Sequence, residues 1–265
     1  MDVEEVRVDE RDGLPPDVAL LWGLRESPRR GRRPGLTLAE IVAAAVALAD
    51  REGLAAVSMA RVAAALGNST MALYRYVASK DELLLLMSDA GLEGPPPIPA
   101  DAPWREQLTA WAHAVLAAIR RHPWYREIPI TGPPMGPNNM AWLDRALAAL
   151  GATDLDESGK FLVVSGLLPI VHGQARLAID LAAGRGEDPA AFEGEFGRVM
   201  TAVADPRRFP ALARALSAGV FDDGDPEPPG GSGLDAEFAF SLACYLDGVE
   251  AFMAARGHRP GAGTG

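Results

Sequence analysis

One cysteine, Cys244, stands in 265 residues, so no disulfide can form within the chain, and a reducing cytoplasm is the expected setting. Aromatic residues make up 6% of the chain, and β-branched residues are sparse beside alanine and leucine, which argues against a sheet and for an all-α protein. The four histidines, His113, His122, His172 and His258, fall at no metal-ligand spacing. Cys244 has no neighbouring base to activate it as a nucleophile. No glycine-rich phosphate cradle is present. Asp222, Asp223 and Asp225 lie in a Pro/Gly loop and read as a solvated acidic turn. The chain is therefore not expected to be an enzyme or to need a metal or any other cofactor. The longest strongly apolar run, Phe161 to Val171, is interrupted by Ser165 and Pro169 and falls short of a membrane span, so no membrane partner is expected. The acidic N-terminus is unlike a secretory signal.

The net charge of −11 is unpromising for a chain that would approach nucleic acid, but it is unevenly spread. Residues 25–35, RESPRRGRRPG, hold five arginines and one acid, whereas residues 1–24 hold seven acids and two arginines. A compact basic cluster sets the local attraction for phosphates, because distant acids are screened beyond a Debye length.

Residues 1–35 contain four prolines and no sustained periodicity, and read as a flexible arm with a short turn at DVALLWGL. Thr37 and Glu40 then form a capping box. Leu38, Ile41, Ala45 and Leu48 follow at helical spacing, and Gly53 ends that helix. Ser58 caps a second helix, SMARVAAAL. Gly67-Asn68-Ser69 is a turn, and TMALYRYV is a third helix. Ser79 and Glu82 make another capping box and open a fourth helix, KDELLLLMSDA. The Pro/Gly-rich stretch at 92–102 marks a domain boundary. Beyond it, helices are expected at 103–122, 138–150, 154–183, 188–203, 206–218 and 234–256, with a short helix at Pro123.

The unit SMARVAAALGNSTMALYRYV, residues 58–77, meets the steric demands of a helix-turn-helix. Ala63 is small enough for two helices to cross closely, and Gly67 frees the backbone for the sharp turn. Leu73 points back from the third helix towards Val62 and Leu66.

Residues Leu38 to Met87, carried by IVAAAVALADREG, SMARVAAALG and above all ALYRYVASKDELLLLM, resemble the DNA-binding domain of the tetracycline-repressor (TetR) family. WREQL, RRHPW, GPPMGPNN and VHGQARL more distantly resemble the ligand-binding C-terminal domain of that family. The resemblance implies three parts: an arm at 1–35, a DNA-binding domain at 36–92, and a ligand-binding and dimerisation domain at 103–257. It implies a ligand-responsive regulator, most simply a homodimeric repressor of a palindromic double-stranded DNA operator, released by a small hydrophobic effector. The third helix would enter the major groove, with Thr70, Met71, Ala72, Tyr74 and Tyr76 facing DNA. Ser58, Met59, Arg61 and Lys80 would hold the backbone. Asn68 departs from the small apolar residue common at its site, and asparagine tolerates the left-handed geometry a turn needs.

Arg29, Arg30, Arg32 and Arg33 form a separate candidate DNA contact, in the minor groove or along phosphates. Pro169 inside the 154–183 helix suggests a bent wall. Trp111, Met135, Trp142 and Phe161 are then candidate apolar lining of an effector pocket, with His113, Asn138, His172 and Gln174 as its polar groups. The dimer surface would use the 154–183 and 234–256 helices. An activator of the same fold, and a helical interaction module without DNA binding, stand as alternatives.

Overall fold

The computed structural model describes residues 13–24, 36–128, 135–184, 197–219 and 233–257. Among these residues every regular element is helical, as the composition implies. The chain packs as two compact units, residues 1–164 and 165–265.

The first unit holds α1 (Pro16–Leu21), α2 (Leu38–Glu52), α3 (Met59–Ala65), α4 (Thr70–Tyr74), α5 (Lys80–Ala90), α6 (Trp104–Arg121) and α7 (Pro137–Ala149). The expected Thr37–Glu40 box is present in both directions. Glu40 N donates to Thr37 Oγ1 at 3.2 Å, and Thr37 N donates to the Glu40 carboxylate at 2.8 Å. Donation by the Thr37 hydroxyl, then by its backbone, holds the Glu40 carboxyl below its ordinary range. The second box is a variant. Ser79 Oγ accepts from Glu82 N at 3.1 Å, but the Glu82 carboxylate accepts from Ala78 N, one residue before the cap.

The apolar spacing of these helices becomes one core. Ile41, Ala45, Leu48, Val57, Val62, Ala63, Leu73, Val77, Leu83 and Met87 are buried together. α2 packs on α3 and α5, and α3 on α4. The stretch 13–24 is not a free arm. Leu20 is buried in this core, α1 packs on α5, and Trp22 Nε1 donates to Met135 O at 2.8 Å. Two apolar side chains, Val18 and Leu20, are enough to dock a six-residue helix that periodicity over so short a span does not reveal. Residues 25–35, which carry the four arginines, lie outside the described residues.

α8 (Glu157–Gly184) starts in the first unit and continues into the second. Asp156 caps it by accepting from Gly159 N at 2.8 Å. Pro169 lies inside it. The second unit continues with α9 (197–203), α10 (Pro210–Ser217) and α11 (Gly233–Gly257). Leu167, Val171 and Ala175 on α8, and Phe238, Leu242, Leu246 and Val249 on α11, are its buried apolar residues. Gly166 lets α11 come close: a Cβ there would strike the Tyr245 hydroxyl. Gln174 Nε2 ties the same two helices by donating to Leu234 O at 2.6 Å.

The expectation that no segment is long and apolar enough to span a membrane is revised. Neither Ser165 nor Pro169 ends α8, and Glu157–Leu181 and Leu234–Arg256 both pass on length and composition. Only 28% and 22% of their most apolar stretches are buried. Among the described residues, most of each stretch is thus left uncovered.

Candidate nucleic-acid interface

The segment 58–77 folds as two short helices around a sharp turn. Ser58 Oγ caps α3 by accepting from Arg61 N at 3.3 Å. Gly67 takes φ +63°, the left-handed backbone that lets the chain reverse. Asn68 is therefore not needed in that conformation. Its Nδ2 instead donates to Leu66 O at 2.8 Å and steadies the turn. Ser69, not singled out in the sequence, caps α4 by accepting from Ala72 N at 3.3 Å.

α4 is two-faced. Leu73 on α4 is fully buried, as is Val77, which lies beyond the helix end at Tyr74; the third helix is thus three residues shorter than the expected 70–77. Met71 is 75% exposed, and Tyr74 and Arg75 are also exposed. Thr70 and Ala72 are half-buried at the edge of that outer face. Met71, Tyr74 and the C-cap Arg75 thus share the exposed side, opposite the buried Leu73.

The structure places one of the expected contacts, Met59, in the core, and shows what holds two others, Tyr76 and Arg61. Met59 is only 6% exposed and belongs to the core, because the first turn of α3 rolls it inward beside Val62 and Ala63. It does not face outward. Tyr76 is half-buried against the same core, leaving it less reach than Tyr74. Arg61 is exposed, but its guanidinium donates to Glu52 at 2.7 Å and lies near Ala56 O, so it is held along its own domain's surface. Lys80 is exposed at the first turn of α5, and Ser58 is half-buried as a cap.

The models of two families match the chain: "Bacterial regulatory proteins, tetR family" over residues 41–87, and "Tetracyclin repressor-like, C-terminal domain" over residues 96–253. The HTH-type transcriptional repressor DrrR1 of Streptomyces coeruleorubidus is 37% identical over 248 residues, 90% of this chain and 86% of that protein. The chain belongs to the TetR family. It is a transcriptional regulator of all-α fold, in a family that does not consist of enzymes. An HTH-type transcriptional regulator of Saccharopolyspora erythraea is 36% identical over 142 residues, 53% of this chain and 58% of that one. Among solved structures, apo ActR of Streptomyces coelicolor superposes with a TM-score of 0.69 at 25% identity, over 84% of this chain and 99% of that one. ActR in complex with actinorhodin gives 0.67 at 25% identity, over 82% and 98%.

The expected effector residues of this TetR-family chain fall in both units, and each is described within its own. Trp111 and Trp142 are buried edge to face, with centroids 6.2 Å apart, and Trp111 Nε1 donates to Trp142 O at 2.8 Å. Trp142 Nε1 in turn donates to the carbonyls of Leu92 and Glu93, at 3.2 and 3.0 Å. Both indoles are thus committed to holding α6, α7 and the 92–93 turn together. Asn138 is taken up by Asp89. His113, Met135 and Phe161 are exposed, Phe161 by 52%. His172 and Gln174 belong to the second unit. There His172 is half-buried, and burial pushes its imidazole below the ordinary range, which favours the neutral ring. Helical spacing puts such residues on a face but does not say whether their polar atoms are already spoken for.

Proposed function

We propose that this chain is a homodimeric repressor that reads a roughly palindromic operator through α4 and lets go when a small apolar effector binds. The observation that carries the reading is the two-faced α4. Leu73, and Val77 just beyond the helix, lock it to the core while Met71, Tyr74 and the capping Arg75 stand outward. A helix so presented fits a major groove, where Met71 and Ala72 meet thymine methyls, Thr70 bonds a base edge or phosphate, and the tyrosine hydroxyl reaches a phosphate. Lys80, Ser58 and Arg61 would flank it on the backbone, Arg61 after exchanging Glu52 for phosphate. Arg29, Arg30, Arg32 and Arg33 add phosphate or minor-groove contacts.

We assign residues 36–92 to the reader and 103–257 to sensing and dimerisation. The thinly buried faces of α8 and α11, with Leu162, Leu177, Phe240 and Phe252 exposed, suit a four-helix interface with a second copy rather than a lipid bilayer. Two readers on a twofold axis then require a palindromic site. The DrrR1 likeness supports repression, and the ActR neighbour, whose crystal structure holds actinorhodin, supports a small-molecule effector. As a regulator of DNA, the protein would act in the cytoplasm.

The test combines sedimentation with DNA release. The full chain should sediment as a dimer and shift DNA from upstream of its own gene. A thermal-shift screen of apolar small molecules, beginning with actinorhodin, should yield a compound that both stabilises the protein and weakens the shift. A monomer, or a stabilising compound that leaves DNA affinity unchanged, would overturn the corresponding part. Transcription that rises with the regulator present would convert the repressor to an activator.

A further inference from the structure

Two carboxylates on helices of the reader, Asp89 on α5 and Asp50 on α2, are paired with residues that come after residue 120 in the chain. Asp89, at the end of α5, is only 6% exposed. Its Oδ1 accepts from Asn139 N at 3.0 Å and Asn139 Nδ2 at 2.9 Å, and its Oδ2 from Asn138 N at 3.3 Å. Its own carbonyl accepts from Asn138 Nδ2 at 3.2 Å. The side chain therefore caps the first turn of α7 from another helix, satisfying amides that α7 itself cannot. The fit is tight, since a Cβ on Gly136 would run into the Asp89 carboxylate. Asp50 Oδ1, near the end of α2, meets His122 Nδ1 at 2.7 Å and accepts from Trp124 Nε1 at 2.6 Å. Trp124 is buried in the reader core, and Tyr125 packs against it.

The donors come from the turn that closes α6 and from the start of α7, while the acceptors lie on α2 and α5. α2 packs on both α3 and α5. A shift of the α6–α7 pair is therefore carried into the helices that bear the reader, and a shift of the reader is carried back. A buried carboxylate with three N–H donors has few alternative arrangements, because its oxygens are largely out of reach of water and need those donors.

We infer that Asp50 and Asp89 are positioning residues that couple the DNA reader to α6 and α7, so that DNA affinity and the state of α6–α7 are linked through these two hydrogen-bonded junctions. The inference rests on the proposed DNA-binding function. Linkage is reciprocal, so DNA itself can serve as the probe without an identified effector. The experiment measures amide hydrogen exchange across the full chain, with and without a duplex from upstream of its own gene, for the wild type, Asp89→Asn and Asp50→Ala. Asparagine at 89 would turn an N–H towards the α7 amides. Alanine at 50 frees the His122–Trp124 side and leaves the α7 cap intact, so one variant can report if the other does not fold.

In the wild type, DNA should slow exchange at the start of α7 and the end of α6 by about fivefold or more, the lower end of typical coupling. Each folded variant should bind the duplex within about threefold of wild type yet lose that slowing at its own junction. A simple packing role would lower the melting temperature and leave the transmitted slowing in place, which overturns the inference. So does a wild type that binds DNA without any change at α6–α7. A wild type that binds no duplex overturns the DNA-binding reading, and this inference with it.

Discussion

If α4 is turned as described, Met71→Ala and Leu73→Ala, two residues apart, should have opposite effects. Leu73 is fully buried between α3 and the α2–α5 core. Truncating it removes three buried carbons and opens a cavity, at about 2–5 kcal/mol. Set against a total of roughly 5–15 kcal/mol, that is a large share. At about 2–4 °C per kcal/mol for a chain of this size, the melting temperature should fall by roughly 4–20 °C. Met71 is 75% exposed, so its truncation should stay within about 0.5 kcal/mol and move melting by no more than about 2 °C. On DNA the order inverts for folded protein. Removing apolar surface equal to about two methylenes weakens binding on the order of tenfold for Met71→Ala. Melting followed by circular dichroism at fixed protomer concentration, with fluorescence anisotropy on upstream DNA, reads both. Equal destabilisation by the two changes, or unaltered DNA binding by Met71→Ala, would show that α4 is turned the other way.

Replacing Gly67 with valine puts a β-branched residue at φ +63° and should lower stability by about 1–2 kcal/mol or more, measured as a lower urea midpoint with an unchanged slope. Burial, and then the Asp89 charge, push the Tyr125 phenol from 10 up to about 12. The folded state thus favours the neutral phenol. Its contribution is complete below pH 10 and is lost as pH rises through about 12, roughly 2–3 kcal/mol, so Tyr125→Phe should flatten the pH dependence of melting across that window. Replacing Arg29, Arg30, Arg32 and Arg33 by serine should reduce the slope of log affinity against log salt by about 0.9 for each phosphate that an arginine had neutralised. An unchanged slope would place those arginines away from DNA.

The parts of the fold read most directly from the sequence are those set by local chemistry. Thr37–Glu40 and Ser79 cap their helices because a hydroxyl three residues before a free amide needs little else. Gly67 sits at the turn because only its backbone adopts that angle without strain. Leu73 faces inward because it is the apolar residue that α3 can reach. The misreadings arise where tertiary packing chooses among equal local options. Met59 and Met71 are the same residue at similar helical positions, and only the roll of α3 buries one while α4 exposes the other. Asp50 and Asp89 look like ordinary surface acids in sequence, because their donors lie 72 to 74 and 49 to 50 residues away. α1 was hidden by brevity. The carbonyl partners of the Trp111 and Trp142 indoles were likewise illegible, because they lie 31 and 50 residues away.

The function proposed for this chain stands or falls with the outer face of α4 reading DNA. The most direct test is a footprint of the purified full chain on the DNA upstream of its own gene, beside a Tyr74→Ala, Lys80→Ala double variant with a matching melting curve. Two protected half-sites about one helical turn apart are expected with the wild type, and none with the variant at the same concentration. Protection that persists in the variant, or no sequence-specific protection with the wild type at moderate salt, would contradict that reading of α4.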